Sequence, residues 1–398
     1  MPDAAGPRPE LPVAHGLSDP LASDAAAGRD GVAVPASASA AARAPSAWTP
    51  TRDSPLRRGR VLVTGGAGFI GSHLCARLVL EGAGVLVLDD LSTGRSANLH
   101  SAARPGPGAG HLRLTQRDVV TRFDIECAAI FHLACPASPA AYQRAPIDTV
   151  KTAVVGTLHA LENAHRHGAR LLLASTSEVY GDPEVHPQAE GYTGSVDPTG
   201  PRACYDEGKR CGETLATEFA RQHGTEVRIA RIFNTYGPRM QPDDGRVVSN
   251  FIMQALTGRD LTVYGDGSQT RSLCYVSDLV DGLLRLLDSD VGAGPVNLGN
   301  PVEITMIDLA ERILRLTRSR SRIAFKPLPV HDPRRRRPDI TRATQTLGWQ
   351  PRVSLDDGLE RTVHWFMRQV DEGVDPTAAR VRSQREQAAQ AATQAAGD

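Results

Sequence analysis

A chain of 398 residues, 40% of them hydrophobic, can bury a sizeable core as one large domain or two coupled ones. Lys plus Arg and Asp plus Glu both number 45, so no global charge directs it to nucleic acid or an acidic membrane surface, and any anion site must be local. It lacks the run of about 18 apolar residues that a membrane helix needs and the apolar h-region of a signal peptide, and its six cysteines are scattered. A globular cytoplasmic enzyme with reduced thiols is the expectation.

Residues 1–58 are rich in Ala, Pro, Ser, Asp and Arg without apolar periodicity, which predicts a disordered extension. Then comes Val61 to Gly71, Val-Leu-Val-Thr-Gly-Gly-Ala-Gly-Phe-Ile-Gly, an apolar run that breaks into glycines and resumes as a helical pattern. It reads as a buried strand feeding a nucleotide-binding turn. Gly65, Gly66 and Gly68 let the backbone turn tightly against a pyrophosphate, and Gly71 lets the next helix pack close. The helix N-terminus supplies free N–H groups and a partial positive charge. A second strand, Val85 to Leu88, ends in Asp89 and Asp90. An acid about 20 residues on is placed for the adenosine ribose hydroxyls and repels a 2′-phosphate, which favours NAD over NADP, with Arg95 tempering that preference.

Strands and helices keep alternating, as a doubly wound parallel sheet requires. A Pro/Gly-rich loop around Arg104 to Gly110 precedes a strand near His111 to Leu114 that leads to Asp118-Val119. The strand Ala129 to Ala134 stops at Cys135-Pro-Ala-Ser-Pro139, a stiff loop at the edge where ligands of such sheets bind. A helix from about Ile147 to His167 and the strand Arg170 to Ala174 follow, and that strand ends in Ser175-Thr-Ser-Glu-Val-Tyr-Gly181. Hydroxyls and a carboxylate directly after an apolar strand are poorly explained by packing and well placed for chemistry. Tyr205-Asp-Glu-Gly-Lys209 then opens a helix to about His223, with Tyr and Lys on one face. Taken alone, that spacing also fits a solvated helix face. Beside a bound nicotinamide cation, the Lys ammonium lowers the tyrosine pKa toward the range of a general base.

Beyond the strand Glu226 to Ile232 the pattern loosens into a smaller lobe with a helix from Ser277 to about Leu287. It gathers Arg239, Arg246, Arg271 and the run Arg334 to Arg337, guanidinium forks that suit a diphosphate. The arginine run also fits a solvated surface.

Together these motifs make the chain resemble the extended short-chain dehydrogenases/reductases, and within them the UDP-glucuronate decarboxylases, over about residues 59 to 367. The likeness rests on the glycine turn, Cys135 to Pro139, Ser175 to Gly181, Cys204 to Arg210, Asn234 to Met240, Asp244 to Phe251, Gln269 to Arg271 and Arg336 to Ile340. It implies a Rossmann-like sheet with a C-terminal substrate lobe: one domain at 59–370, NAD-binding core mainly 59–235, lobe mainly 236–370, and a flexible tail at 371–398. It makes Tyr205 the base, Lys209 its partner at the nicotinamide ribose, Thr176 a contact of the sugar 4-hydroxyl region and Glu178 a group near C5. NAD contacts are expected at Gly65, Gly68, Phe69, Ile70, Gly71, Asp89, Asp90, Thr93, Gly94, Asp118, Val119, Leu133, Thr152, Tyr205 and Lys209. Substrate contacts are expected at Pro136, Ser138, Lys151, Asn234, Arg239, Arg246, Arg271 and Arg336. For Lys151 and Thr152 a solvated helix start remains an equal reading. The implied reaction converts UDP-glucuronate to UDP-xylose and CO2 through a 4-keto intermediate in a homodimer, with helices at 147–161 and 215–219 as the pairing faces. The rivals are a nucleotide-sugar 4,6-dehydratase, whose family carries Asp-Glu where this chain has Ser177-Glu178, a 4-epimerase, and a non-catalytic NAD-binding scaffold. Thr193 stands where the family usually has Trp, and Leu91 and Ser92 replace aromatics.

Overall fold

The computed structural model describes residues 48–103, 109–327 and 335–372. Six parallel strands in chain order are β1 (Val61–Thr64), β2 (Gly84–Asp89), β3 (His111–Gln116), β4 (Ala129–His132), β5 (Arg170–Thr176) and β6 (Val227–Ile232), and a seventh, Pro295–Leu298, closes the sheet beside β6. From that edge the order runs β6, β5, β4, β1, β2, β3. The chain moves outward from β1 to β3 and then jumps back to lay β4 on the other side of β1. That reversal opens a crevice at the carboxyl ends of β1 and β4, where ligands of such sheets bind.

The central strands are apolar runs because both faces are covered: every residue of β1 and β4 is buried. Successive side chains alternate between two cores, Val61 and Val63 facing one and Leu62 the other. The first core continues through Leu283 and Trp349 to Phe366, so sheet and lobe share one apolar interior. The lobe adds short pairs, among them Leu261–Tyr264 with Ile323–Lys326 and Thr270–Ser272 with Glu303–Thr305.

Two expectations need correction. Ordered structure begins before residue 58, because Trp48 packs on the core and Ser54 caps a short helix, Pro55–Arg58, whose Leu56 is buried. Residues 1–47 and 373–398 of the expected extension and tail, most of the loop 104–110, and Arg334 lie outside the described residues. The helix expected over 147–167 is three pieces: Pro146–Lys151, a π-helical turn Thr152–Gly156, and Thr157–His167. Helical spacing does not signal such a turn, and turns of this kind recur at functional sites.

Candidate active site

The glycine turn behaves as its spacing predicts. Gly65 adopts φ 69°, open to glycine, and a side chain there would meet Ala134 N at 2.7 Å. At Gly71 a Cβ would lie 2.2 Å from the Gly65 carbonyl oxygen, so the first turn of helix Phe69–Leu80 rests directly on the turn before it. This bare backbone faces a cleft of about 1020 Å3 that runs from β1 across the ends of β4 and β5 into the lobe.

Asp89, at the end of β2, is buried; one oxygen accepts from Ala67 N at 2.9 Å and the other from Leu91 N at 2.9 Å. It therefore stitches the second turn to the first while lining the cleft. Burial pushes its carboxyl up, and the two N–H donors pull it back. Asp90 is exposed and caps its own turn, accepting from the Ser92 backbone and hydroxyl. Gly94 lies beneath rather than in the cleft: a Cβ there would sit 2.8 Å from Asp89 Oδ1, so its smallness serves the carboxylate. Phe69, Ile70, Thr93, Asp118, Val119, Leu133 and Thr152 line the same end.

At the opposite end, Thr176 finishes β5 and Glu178 sits in the turn after it, while Tyr205 and Lys209 lie one turn apart on helix Ala203–His223. All four side chains line the cleft. Lys209 Nζ donates to the Ala174 carbonyl at 2.9 Å and lies 5.9 Å from the centre of the Tyr205 ring. Tyr142 stacks on Tyr205, ring centres 5.2 Å apart and 6° from parallel. Burial pushes the Tyr205 phenol up; Cys135 adds to this and the Thr176 hydrogen bond opposes it. In the chain alone Tyr205 is thus a neutral phenol, and the lowering expected from Lys209 depends on the cofactor's charge completing the site.

Glu178 is gripped from both sides, one oxygen by Arg202 and the other by Arg336. Burial disfavours its charge, but the two guanidiniums outweigh that and hold the carboxyl below its usual range. Pro136, Ser138, Asn234, Arg246 and Arg271 also line the cleft, and Arg246 and Arg271 face it from the lobe with Lys326. Two expected substrate contacts fall elsewhere. Lys151 is exposed and pairs with Asp148 at 3.6 Å. Arg239, at φ 70°, turns toward Ser101 and donates to its hydroxyl at 2.9 Å, away from the cleft. The left-handed residue reverses the chain after Pro238, which spacing alone does not reveal. Tyr142 and Arg202 are the site residues that sequence reasoning missed. The residue three before the Tyr-x-x-x-Lys tyrosine was the available signal for Arg202.

His132, wholly buried at the end of β4, holds the cofactor side together. Ala134 N donates to Thr64 Oγ1 at 3.3 Å, and that oxygen lies 2.8 Å from His132 Nδ1. Nε2 then donates to Thr157 Oγ1 at 3.2 Å, whose own proton goes to Ala153 O at 2.6 Å, in the π-helical turn. With its proton on Nε2, His132 accepts from Thr64 at Nδ1, a link that requires neutral histidine, and burial, with Lys209 adding to it, lowers His132 to about 3. Below its unfolded value of about 6.5 the unfolded chain binds a proton that the folded chain refuses, so stability is lost as pH falls from there toward the folded value, by up to about 1.4 kcal/mol per pH unit. The acid-side loss in a denaturant series should therefore be shallower in His132→Asn than in the wild type, and equal slopes would refute this account.

A doubly wound sheet with a glycine turn, a strand-end Thr and a Tyr-x-x-x-Lys helix facing one cleft defines an extended short-chain dehydrogenase/reductase. The chain belongs to the NAD dependent epimerase/dehydratase family, whose model matches residues 61–299. It is 53% identical over 334 residues to UDP-glucuronic acid decarboxylase 1 of Danio rerio, covering 82% of this chain and 79% of that one. It is 54% identical over 318 residues to UDP-glucuronic acid decarboxylase 5 of Arabidopsis thaliana, covering 78% and 92%. Among solved structures it is similar to MoeE5 in complex with UDP-glucuronic acid and NAD, with TM-score 0.66, 29% identity and coverage of 78% and 100%. Among the described residues no helix is long and apolar enough to cross a membrane.

The cradle fits NAD: a side chain at Gly65 or Gly71 would collide with backbone, and the Asp89 carboxylate stands at the ribose end of the cleft.

Proposed function

We propose that the chain decarboxylates UDP-glucuronate to UDP-xylose and CO2 through a 4-keto intermediate, as a cytoplasmic homodimer. The observation that carries this is the Glu178 carboxylate held between Arg202 and Arg336 beside Tyr205. A uronate calls for guanidiniums at this end of the cleft where a neutral sugar does not, and the buried Arg336 and half-buried Arg202 stand there. Bound NAD supplies the two-electron oxidation at C4 and its reversal. Tyr205 takes the 4-hydroxyl proton and Thr176, its hydrogen-bond partner, holds that oxygen in line. The substrate carboxylate is then β to a ketone, so its bond to C5 breaks with the electron pair passing into an enolate that nearby donors stabilise. Tyr205 returns its proton to the 4-oxygen when C4 is reduced. Arg246 and Arg271 receive the diphosphate from the lobe side.

The 4,6-dehydratase alternative needs an acid for a leaving hydroxyl where this chain has the buried Ser177. The exposed Ile147 and Val150, on the helix leading into the π turn, support a pairing face. The direct test is incubation of the full chain with NAD and UDP-glucuronate, read by NMR. UDP-xylose with one CO2 per turnover is expected; a UDP-hexuronate epimer, or no CO2, would sink the reading.

A further inference from the structure

Behind the Glu178 cluster lies a second, smaller space. A cavity of about 80 Å3 is bounded on its inner side by Glu178, Arg202 and Arg336, which also line the cleft, and on its outer side by Asp182, Ser195 and Asp197, all exposed. The ion cluster is thus a thin wall between the cleft and a pocket that opens to solvent. Asp206 lines only the outer pocket. It is 7% exposed, and its Oδ1 is buried without a hydrogen-bond partner. A buried carboxylate oxygen left unpaired is costly and calls for a reason.

The reaction proposed above, on which this inference rests, supplies one. When CO2 leaves, the C5–C6 bonding pair stays with the sugar as the enolate, and C5 must then gain a proton. The proton that Tyr205 removes goes back to the 4-oxygen, so one further proton per turnover has to come from solvent. Neither partner in the wall can give it: Glu178 is held ionised, and a guanidinium does not deprotonate.

We propose that Asp206 and this pocket are the proton inlet, Asp206 taking a proton from pocket water and passing it through water beside Glu178 to C5. The pocket has room for a few waters, and polar partners for them stand on both sides. Burial first, then the facing Glu178 carboxylate, raises Asp206 to about 7, against Arg202 and Arg336 and with Glu207 adding to the rise. The phenol of Tyr142 and the thiol of Cys204 also face it, and burial keeps both neutral. Asp206 therefore loads and releases a proton near neutral pH. An acid in the first helical turn also suits the helix dipole, but that role is served by a permanent, hydrated charge rather than by a carboxyl with one oxygen buried and unpaired.

Asp206 acts through water and is a positioning and relay residue, so its test needs more than a lower rate. In the full chain with NAD and UDP-glucuronate, Asp206→Asn should lower kcat about tenfold or more while KM stays within about twofold. The wild-type kcat should fall as pH rises through about 7, where Asp206 loses its proton. That limb should vanish in Asp206→Asn and return in Asp206→Glu, and the solvent deuterium effect on kcat should rise in the Asn variant. Wild-type kcat and pH limb in a folded Asp206→Asn, checked by circular dichroism and NAD binding, would overturn the proposal. So would a raised KM with kcat unchanged, which marks a structural role. A wild-type chain that releases no CO2 would instead overturn the decarboxylase reading itself, and the proposal with it.

Discussion

Tyr205→Phe is expected to lower kcat for UDP-xylose formation by about 10²–10⁴-fold, the usual worth of a positioned general base, while NAD affinity changes only a few-fold. The ring stays because its packing does: Tyr142 stacks on one face and Lys209 lies 5.9 Å from the ring centre. Only the hydroxyl is removed, and with it the acceptor for the 4-hydroxyl proton and the hydrogen bond with Thr176. Because burial pushes the phenol up, the wild-type enzyme needs the bound cofactor's charge, with Lys209, to make Tyr205 basic. Calorimetric NAD titration beside a steady-state assay checks both halves. A variant with near-normal kcat would end the assignment of Tyr205 as base, and one that no longer bound NAD would show a structural role.

The second large effect is expected at Gly71. An alanine there brings a methyl to 2.2 Å from the Gly65 carbonyl oxygen and 2.8 Å from Gly66 Cα, both backbone atoms that no rotamer change can move aside. The helix must lift off the turn, and overpacking of that kind costs about 1–3 kcal/mol, a weakening of NAD binding of up to about 10²-fold if it falls wholly on the bound state. Gly68 is the internal control: a Cβ there meets the same carbonyl at 3.2 Å, with ordinary helix-start backbone at φ −72°. Gly68→Ala should therefore bind NAD more tightly than Gly71→Ala. Equal affinities in the two variants would show that close helix packing does not set the site.

Several features were legible because their causes are local. The run Val61 to Val63, the glycines after it and the acid ending β2 are neighbours in sequence and remain neighbours in space. Tyr205 and Lys209 are one helical turn apart by the geometry of the helix itself. Thr176 and Glu178 follow a buried apolar strand, so their place at its carboxyl end follows from where the strand stops.

What the sequence by itself determined, then, is the dinucleotide turn, the alternating strands and helices, and the Thr, Glu, Tyr and Lys that meet at the sheet edge. Of the arginines, the sequence pointed to Arg246, Arg271 and Arg336, and only the tertiary structure added Arg202 to the cleft and took Arg239 away from it. Arg202 and Arg336 reach Glu178 across 24 and 158 residues, whereas Arg239, close to the motifs in sequence, is carried to Ser101 by a left-handed turn. It also decided the neutral chain through His132, the break in the helix at Thr152–Gly156 and the unpaired Oδ1 of Asp206 beside the outer pocket. The physical reason is the same in each case: backbone preference is set within a few residues. Charge state and hydrogen-bond partners are set by whatever the folded chain brings within a few ångströms, and sequence spacing does not encode that distance.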